Sequence, residues 1–369
     1  MKTEKKRRLR RNTRRSLINY AIVIAAYAIV QALNAGGNIK SSLQGQLVPI
    51  CAYIVMAVSL NLVVGVSGEL SLGHAGFMSI GAFTGIVAAT ALQAAIPAGW
   101  VRLMLAMVAG ALFAGLFGLL VGVPVLRLRG DYLAIVTLAF GEIVKNIMNI
   151  LYVGIDEKGV HIAALEGSRL VLSEGGVPII KGPMGAVGIA KLSTFTAGFL
   201  LVLVTLFVVQ NLVDSRAGRA ILALRDNRIA AESVGLSVTK YKLMAFVTSA
   251  ALAGAAGVLY GLNYTGLAAK KFDFNTSILV LVFVVLGGMG NIRGSIIAAA
   301  LLTILPEALR EFADFRMLAY AIVLIIVMLA TNNPTMQQFF AAVMEKVRGT
   351  FRELFQKSGE TVKGGGDHE

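Results

Sequence analysis

Long apolar runs along the chain are separated by short polar or glycine-rich breaks. Ten runs approach the roughly 20 residues a helix needs to cross a hydrocarbon core. They are 17–35, 46–66, 70–92, 100–125, 131–153, 193–213, 243–265, 276–290, 294–309 and 315–331. Apolar residues are continuous within each run, without the period-two alternation of membrane strands, so helices are expected. The eighth and ninth runs are short, with only Gly290, Asn291, Ile292, Arg293 and Gly294 around their junction. The pattern predicts an all-α polytopic membrane protein with about ten transmembrane helices.

Three segments interrupt this regularity. Residues 154–192 are glycine-rich, and apolar patches such as Leu170-Val171-Leu172 predict a partly folded loop. Residues 335–357 carry Met336, Phe340, Val343, Val347, Phe351 and Leu354 at helical spacing, with basic residues elsewhere on the wheel. That pattern predicts an interfacial amphipathic helix, followed by a disordered tail over 364–369. The organisation is therefore a basic segment 1–16, a transmembrane part 17–333 and a C-terminal helix and tail 334–369.

Composition agrees with the pattern. Hydrophobic residues make up 57% and charged residues 15%, against roughly 45–50% and 25% in soluble domains, and the mean hydropathy is +0.76. Cys51 is the only cysteine, so a disulfide scaffold is excluded. His74, His161 and His368 are far apart in sequence and lack nearby thiols, which argues against a metal site. A net charge of +14 would suggest nucleic acid in a soluble protein; here it marks cytoplasmic loops, and no nucleic-acid partner is expected.

The basic residues also set orientation. Residues 1–15 hold nine Lys or Arg, and the apolar run that follows is too long for a signal-peptide core, so it is read as a retained first span. With ten spans both termini are cytoplasmic. Cytoplasmic segments then carry 23 basic residues and external ones ten, counting Arg102 and Arg316 at the outer ends of their spans, with Lys145 deeper inside a span. This places 154–192 outside and 214–242 inside.

No G-x-x-x-x-G-K-[ST] phosphate loop occurs, and the dipeptide Gly-Lys is absent. The run Gly287-Gly288-Met289-Gly290 lacks the strand–helix context of a dinucleotide fingerprint and reads as a packing element. The chain is thus a channel, a gradient-driven carrier, or a membrane subunit driven by a separate motor. The segment 214–242 bears on the choice. Asp226 or Asn227 can cap a helix there, Ile229 to Val234 form a short amphipathic helix, and Gly235 can end it in the left-handed conformation. So short a helix is marginal alone in water and fits a partner's groove, although a solvated basic loop would obey the same charge rule.

Ala230-Ala231-x-x-x-Gly235 resembles the core of the EAA loop, the coupling element of ABC importer permeases, with Ile229 where that family usually has glutamate. Glu232, Arg225 and Arg228 are nearby charges able to replace that contact. Residues 59–83, 129–147 and 277–310 are in turn similar to the LivM-type permeases of branched-chain amino acid ABC importers, and the likeness covers most of 46–332. Residues 154–181 depart from the pattern as an insertion, while GPMGAVGI (182–189) looks like that family's external Gly-Pro-rich motif. The resemblance implies an inner-membrane permease whose partners are a second related permease, two ATP-binding subunits and a periplasmic or extracellular substrate-binding protein. ATP would be used by those partners, with no cofactor in this chain. It implies coupling contacts at Arg225, Asp226, Asn227, Arg228, Ala230, Ala231, Glu232 and Gly235. Urea or amide importers of the same build remain an alternative, as does a gradient-driven carrier.

Polar residues inside spans tend to face a cavity or the bundle interior. Thr137, Gly141, Lys145 and Asn149 recur every four residues in the fifth span, beside Glu142 and Asn146. Glu142 and Lys145 are three apart and can pair, as a polar wall of the substrate path or as an internal lock between helices. Asn61, Ser71 and His74 lie in a glycine-rich stretch suited to a broken or re-entrant segment. Asn61, Ser71, His74, Thr137, Glu142, Lys145 and Asn149 are therefore the candidate translocation path. Gly81/Gly85, Gly118/Gly122 and Gly257/Gly261 read as helix-packing faces.

Overall fold

A computed structural model of the chain describes residues 2–36, 41–128, 130–156, 159–165, 170, 172–173, 175–309, 321–322 and 325. Apolar runs become helices because a membrane offers no water to backbone groups, which must pair within their own segment. The helices are α1 (Lys2–Ala35), α2 (Ser41–Asn61), α3 (His74–Ala91), α4 (Gly99–Val125), α5 (Asp131–Ile150), α6 (Phe195–Asp214), α7 (Arg216–Asp226), α8 (Arg228–Ser233), α9 (Val238–Gly261), α10 (Phe274–Gly287) and α11 (Ile292–Ala308). Seven stretches among the described residues are long and apolar enough to cross a membrane: Leu17–Asn34, Ser41–Val66, His74–Ala91, Gly99–Val125, Tyr132–Ile150, Phe195–Asp214 and Val238–Gly261. Helices α10 and α11 coincide with the eighth and ninth apolar runs and are 14 and 17 residues long. The expected tenth span (315–331), the amphipathic helix (335–357) and the tail lie outside the described residues apart from 321–322 and 325. The chain divides into two units, residues 1–307 and 308–369.

Helices α2, α3, α4 and α9 build the core of the first unit. Three of them meet backbone to backbone at glycine: a methyl group at Gly81 of α3 would sit 2.1 Å from the Gly254 carbonyl oxygen of α9. One at Gly254 would lie 2.5 Å from the Gly110 carbonyl oxygen of α4, and one at Gly257 2.0 Å from that of Met78. Small residues replace the hydrophobic effect as the packing device here, since lipid is as apolar as leucine and only close approach gains contact. Gly287 and Gly294 likewise bring α10 and α11 together, so the glycine run before residue 290 packs.

The expectation of an all-α chain needs correction. The described residues contain a five-stranded antiparallel sheet of order β2-β1-β3-β4-β5, formed by β1 (Leu151–Asp156), β2 (Gly159–Ala164), β3 (Val177–Lys181), β4 (Ala186–Val187) and β5 (Gly266–Leu267). The fifth helix ends at Ile150, three residues earlier than its apolar run, because Leu151, Tyr152 and Val153 pair with Ala164, Ala163 and Ile162. Asp156 and Gly159 are the last pair of this hairpin. Glycine is required where β4 meets β5: Gly185 has φ 71°, and a methyl there would lie 2.0 Å from the Leu267 carbonyl oxygen. The partly folded loop is thus a small sheet that also recruits residues before α10.

Sheet and α7–α8 lie at opposite ends of α6. Strands β1 to β4 precede Phe195 and α7 follows Asp214. The intervening 20-residue helix is about 30 Å long, the thickness of a hydrocarbon core.

Candidate functional site

Helix α2 does not run on into α3. Its end widens into a π-helical turn, Leu62–Val66, in which Ser67 N–H donates to the Leu62 carbonyl and Glu69 N–H to that of Val63, each at 3.1 Å. Residues 67–73 are non-helical before α3 starts at His74. The backbone groups freed by this break find side chains of other helices. Leu72 N–H donates to Thr137 Oγ1 of α5 and Ala75 N–H to Ser277 Oγ of α10, both at 3.1 Å. Backbone groups freed by a helix break need such partners wherever water does not reach them.

The proposed path residues separate into three groups. Ser71, His74 and Thr137 surround the break: His74 Nε2 is 2.9 Å from Ser59 Oγ, and Thr137 Oγ1, besides accepting from Leu72, donates to the Ala134 carbonyl. The Ser71 hydroxyl is buried without a hydrogen-bond partner among the described residues, as are those of Ser67 and Ser79. Asn61 points elsewhere. Its Oδ1 accepts from Gly290 N–H at 2.7 Å and its Nδ2 donates to Ser295 Oγ at 2.9 Å, stapling the end of α2 to the α10–α11 junction. Glu142 and Lys145 form an ion pair further along α5, and Asn149 is half-buried one turn beyond Lys145. The Lys145 charge also acts on Asp273 before α10. Burial alone would raise the Asp273 carboxyl; hydrogen bonds from Thr276 N–H and the Asn275 amide, with the Lys145 charge, hold it below its ordinary value.

The segment after α6 is built by its caps. Ser215 Oγ accepts from Gly218 N–H at 3.1 Å and starts α7. Asn227 Oδ1 accepts from Ala230 N–H at 3.0 Å and starts α8, so Asn227 is the cap and Asp226 is not. Gly235 ends α8 with φ 84°. Gly235 N–H donates to the Glu232 carbonyl at 2.9 Å and Leu236 N–H to that of Ala231 at 3.1 Å, the bond pair of a Schellman terminus. Ala231 packs inward with Leu224, Val238, Leu236 and Tyr241. Ile229 and Val234 face outward, 81% and 76% exposed, and Ala230 is exposed beside them. Arg228 pairs with Glu232 at 3.0 Å, while Arg225 binds Asp226 and donates from Nη1 to the Gly65 carbonyl at 2.8 Å. These local pairs occupy the charges that could stand in for a glutamate at the position of Ile229.

Two contacts have no signature in the sequence. Glu69 in the break and Lys242 in the first turns of α9 form a half-buried ion pair, and Arg225 reaches the π-helical turn 160 residues before it. Taken singly, each residue reads only as a polar group in a glycine-rich stretch or as a cytoplasmic cation.

The family model described as "Branched-chain amino acid transport system / permease component" matches residues 42–331. The chain belongs to this family. LivM, the high-affinity branched-chain amino acid transport system permease protein of Salmonella typhimurium, is 39% identical over 288 residues, which is 75% of this chain and 66% of LivM; LivM of Escherichia coli K12 shows the same figures. The chain thus spans just under two thirds of these relatives. The ribose import permease RbsC of Haemophilus influenzae is 25% identical over 85% of the chain and 92% of its own length. No solved structure matches the chain. Membership of a permease family and the seven membrane-length helices make this a multi-pass inner-membrane protein.

Proposed function

We propose that this chain is the membrane-spanning permease subunit of an ABC importer and forms half of a translocation pathway for branched-chain amino acids. The observation that carries the reading is α8. A six-residue helix too short to persist alone is fixed at both ends by Asn227 and Gly235 and turns Ile229, Ala230 and Val234 to solvent. Such a helix offers an apolar knob to a groove on a separate subunit. Arg225, Asp226, Asn227, Arg228, Ala230, Ala231, Glu232 and Gly235 form or frame it, and ATP hydrolysed in two partner subunits drives the cycle through it. A second, related permease completes the pathway, and a substrate-binding protein delivers solute from outside. The 39% identity to LivM, against 25% to a ribose permease, favours branched-chain amino acids as cargo.

Ten spans with both termini inside are supported by the basic-residue count and by the roughly 30 Å between the sheet and α7. The substrate path passes the break around Asn61, Ser71, His74 and Thr137 and the polar row of Glu142, Lys145 and Asn149. The test is co-purification with the ATP-binding subunits and reconstituted uptake against labelled leucine, valine, urea, acetamide and ribose. ATP-dependent uptake of leucine and valine above the others is expected. Urea or amide uptake in their place overturns the substrate, and uptake driven by an ion gradient without ATP overturns the importer.

A further inference from the structure

The π-helical turn has a backbone acceptor that its own helix does not serve. In a continuing α-helix the Gly65 carbonyl would accept from Glu69 N–H. Glu69 N–H donates instead to Val63, and Arg225 Nη1 occupies the Gly65 carbonyl at 2.8 Å. Arg225 therefore supplies the donor that the next turn of α2 would have supplied. Asp226 Oδ1 holds the same guanidinium by Nε and Nη2, at 3.1 and 3.0 Å, and so aims Nη1 at the break.

The guanidinium sits where three segments converge. Its stem covers Gly68, which has φ 74° and where a methyl would lie 2.6 Å from Arg225 Cγ. A methyl on Gly65 would lie 2.1 Å from the Gly290 nitrogen, and Gly290 N–H is itself held by Asn61. The Glu69–Lys242 pair adds a second tie from the same break to α9, which follows α8 directly. The break thus rests on α7 and α9 at two charged points, and the α10–α11 junction lies against it. Within the break the Ser67 and Ser71 hydroxyls are buried and have no partner among the described residues.

We propose that Arg225 is the positioning residue that links the coupling segment to the 62–73 break, so that displacement of α7–α8 rearranges the broken helix and the α10–α11 junction with it. This rests on the importer reading and names the route inside the permease. Its test uses the assembled complex with both permeases and both ATP-binding subunits in nanodiscs, with Ser71→Cys as the only cysteine in a Cys51→Ala background. Maleimide labelling at 71 is expected to differ at least about fivefold between nucleotide-free and ATP-trapped states, as expected for a two-state element biased by a bound partner. Arg225→Gln is expected to abolish that difference and to lower the ratio of uptake to hydrolysis about tenfold or more, with Arg225→Lys, which keeps a donor, recovering part of both. A merely structural role would change complex yield and leave the labelling ratio and the uptake-to-hydrolysis ratio of the surviving complex intact, which overturns the proposal. If Arg225→Gln does not assemble, labelling at 71 that is indifferent to nucleotide in the otherwise unaltered complex overturns it alone. Failure of the importer reading looks different: no ATP-dependent uptake occurs with Arg225 in place.

Discussion

Glu69 and Lys242, 173 residues apart, join as a half-buried ion pair between the broken end of α2 and the start of α9. Their side chains are 12% and 11% exposed, so neither charge is freely solvated once its partner is removed. Lys242→Met alone is expected to destabilise the detergent-solubilised protein by about 1–3 kcal/mol, because an unpaired, poorly solvated carboxylate remains. Glu69→Gln with Lys242→Met should recover most of that stability. Melting temperatures of the two singles and the double measure it; additive effects would show that the charges do not interact.

Gly235 offers a cleaner probe of α8 than any contact residue. A side chain there meets nothing within 4 Å, so a substitution acts only through φ 84°. Gly235→Val should strain the Schellman terminus by about 1–2 kcal/mol and lower uptake per ATP hydrolysed, while Gly235→Asn, which tolerates the left-handed region, should stay close to the parent. Equal coupling in all three would count against α8 as the coupling helix.

Much of this is legible in the sequence, for physical reasons that also explain the gaps. Apolar runs of membrane length can bury their backbone only as helices, so nine of the ten runs have helical counterparts among the described residues. The Asn227 and Gly235 signals are local and complete within ten residues, hence readable. The sheet is not: β4 and β5 are two residues each, and what makes them strands is a partner far along the chain, with Ala186 facing Leu267. Asn61, His74 and Thr137 are readable as polar residues near a break, but their bonds to Gly290, Ser59 and Leu72 depend on which helices pack together.

The Glu142–Lys145 pair should behave unlike Glu69–Lys242. Its side chains are 35% and 20% exposed, so water screens an orphaned charge and the coupling energy should stay below about 1 kcal/mol. Lys145→Met alone should lower uptake and complex yield more than Glu142→Gln with Lys145→Met, with only modest rescue in the double. A large rescue would mark a dry lock between helices and remove the pair from the path.

Opposite placement of sheet and coupling helix gives a labelling prediction. In a Cys51→Ala background, single cysteines replacing Ile162, 69% exposed, and Ile229, 81% exposed, should react with an impermeant maleimide from opposite sides of the membrane. Reaction of both from one side in oriented vesicles would contradict the even span number and the cytoplasmic position of α8.

Asp273 carries a pH dependence whose sign is fixed by its cap. Its Oδ1 accepts from Thr276 N–H at 3.0 Å and opens α10, and its carboxyl is held below the ordinary value despite the opposing effect of burial. A depressed folded pKa means the unfolded chain binds the proton more readily. The stabilisation is therefore complete above the unfolded carboxylate value of about 3.9 and is lost as pH falls through the lower folded value. Asp273→Asn keeps a capping oxygen but no titrating group, so its melting temperature should fall less steeply than the parent's between about pH 5 and pH 3. Asp273→Ala should lose about 1 kcal/mol at neutral pH, where Asn loses less. Parallel acid profiles for the parent and Asp273→Asn would show that the carboxylate makes no ionised contribution at the head of α10.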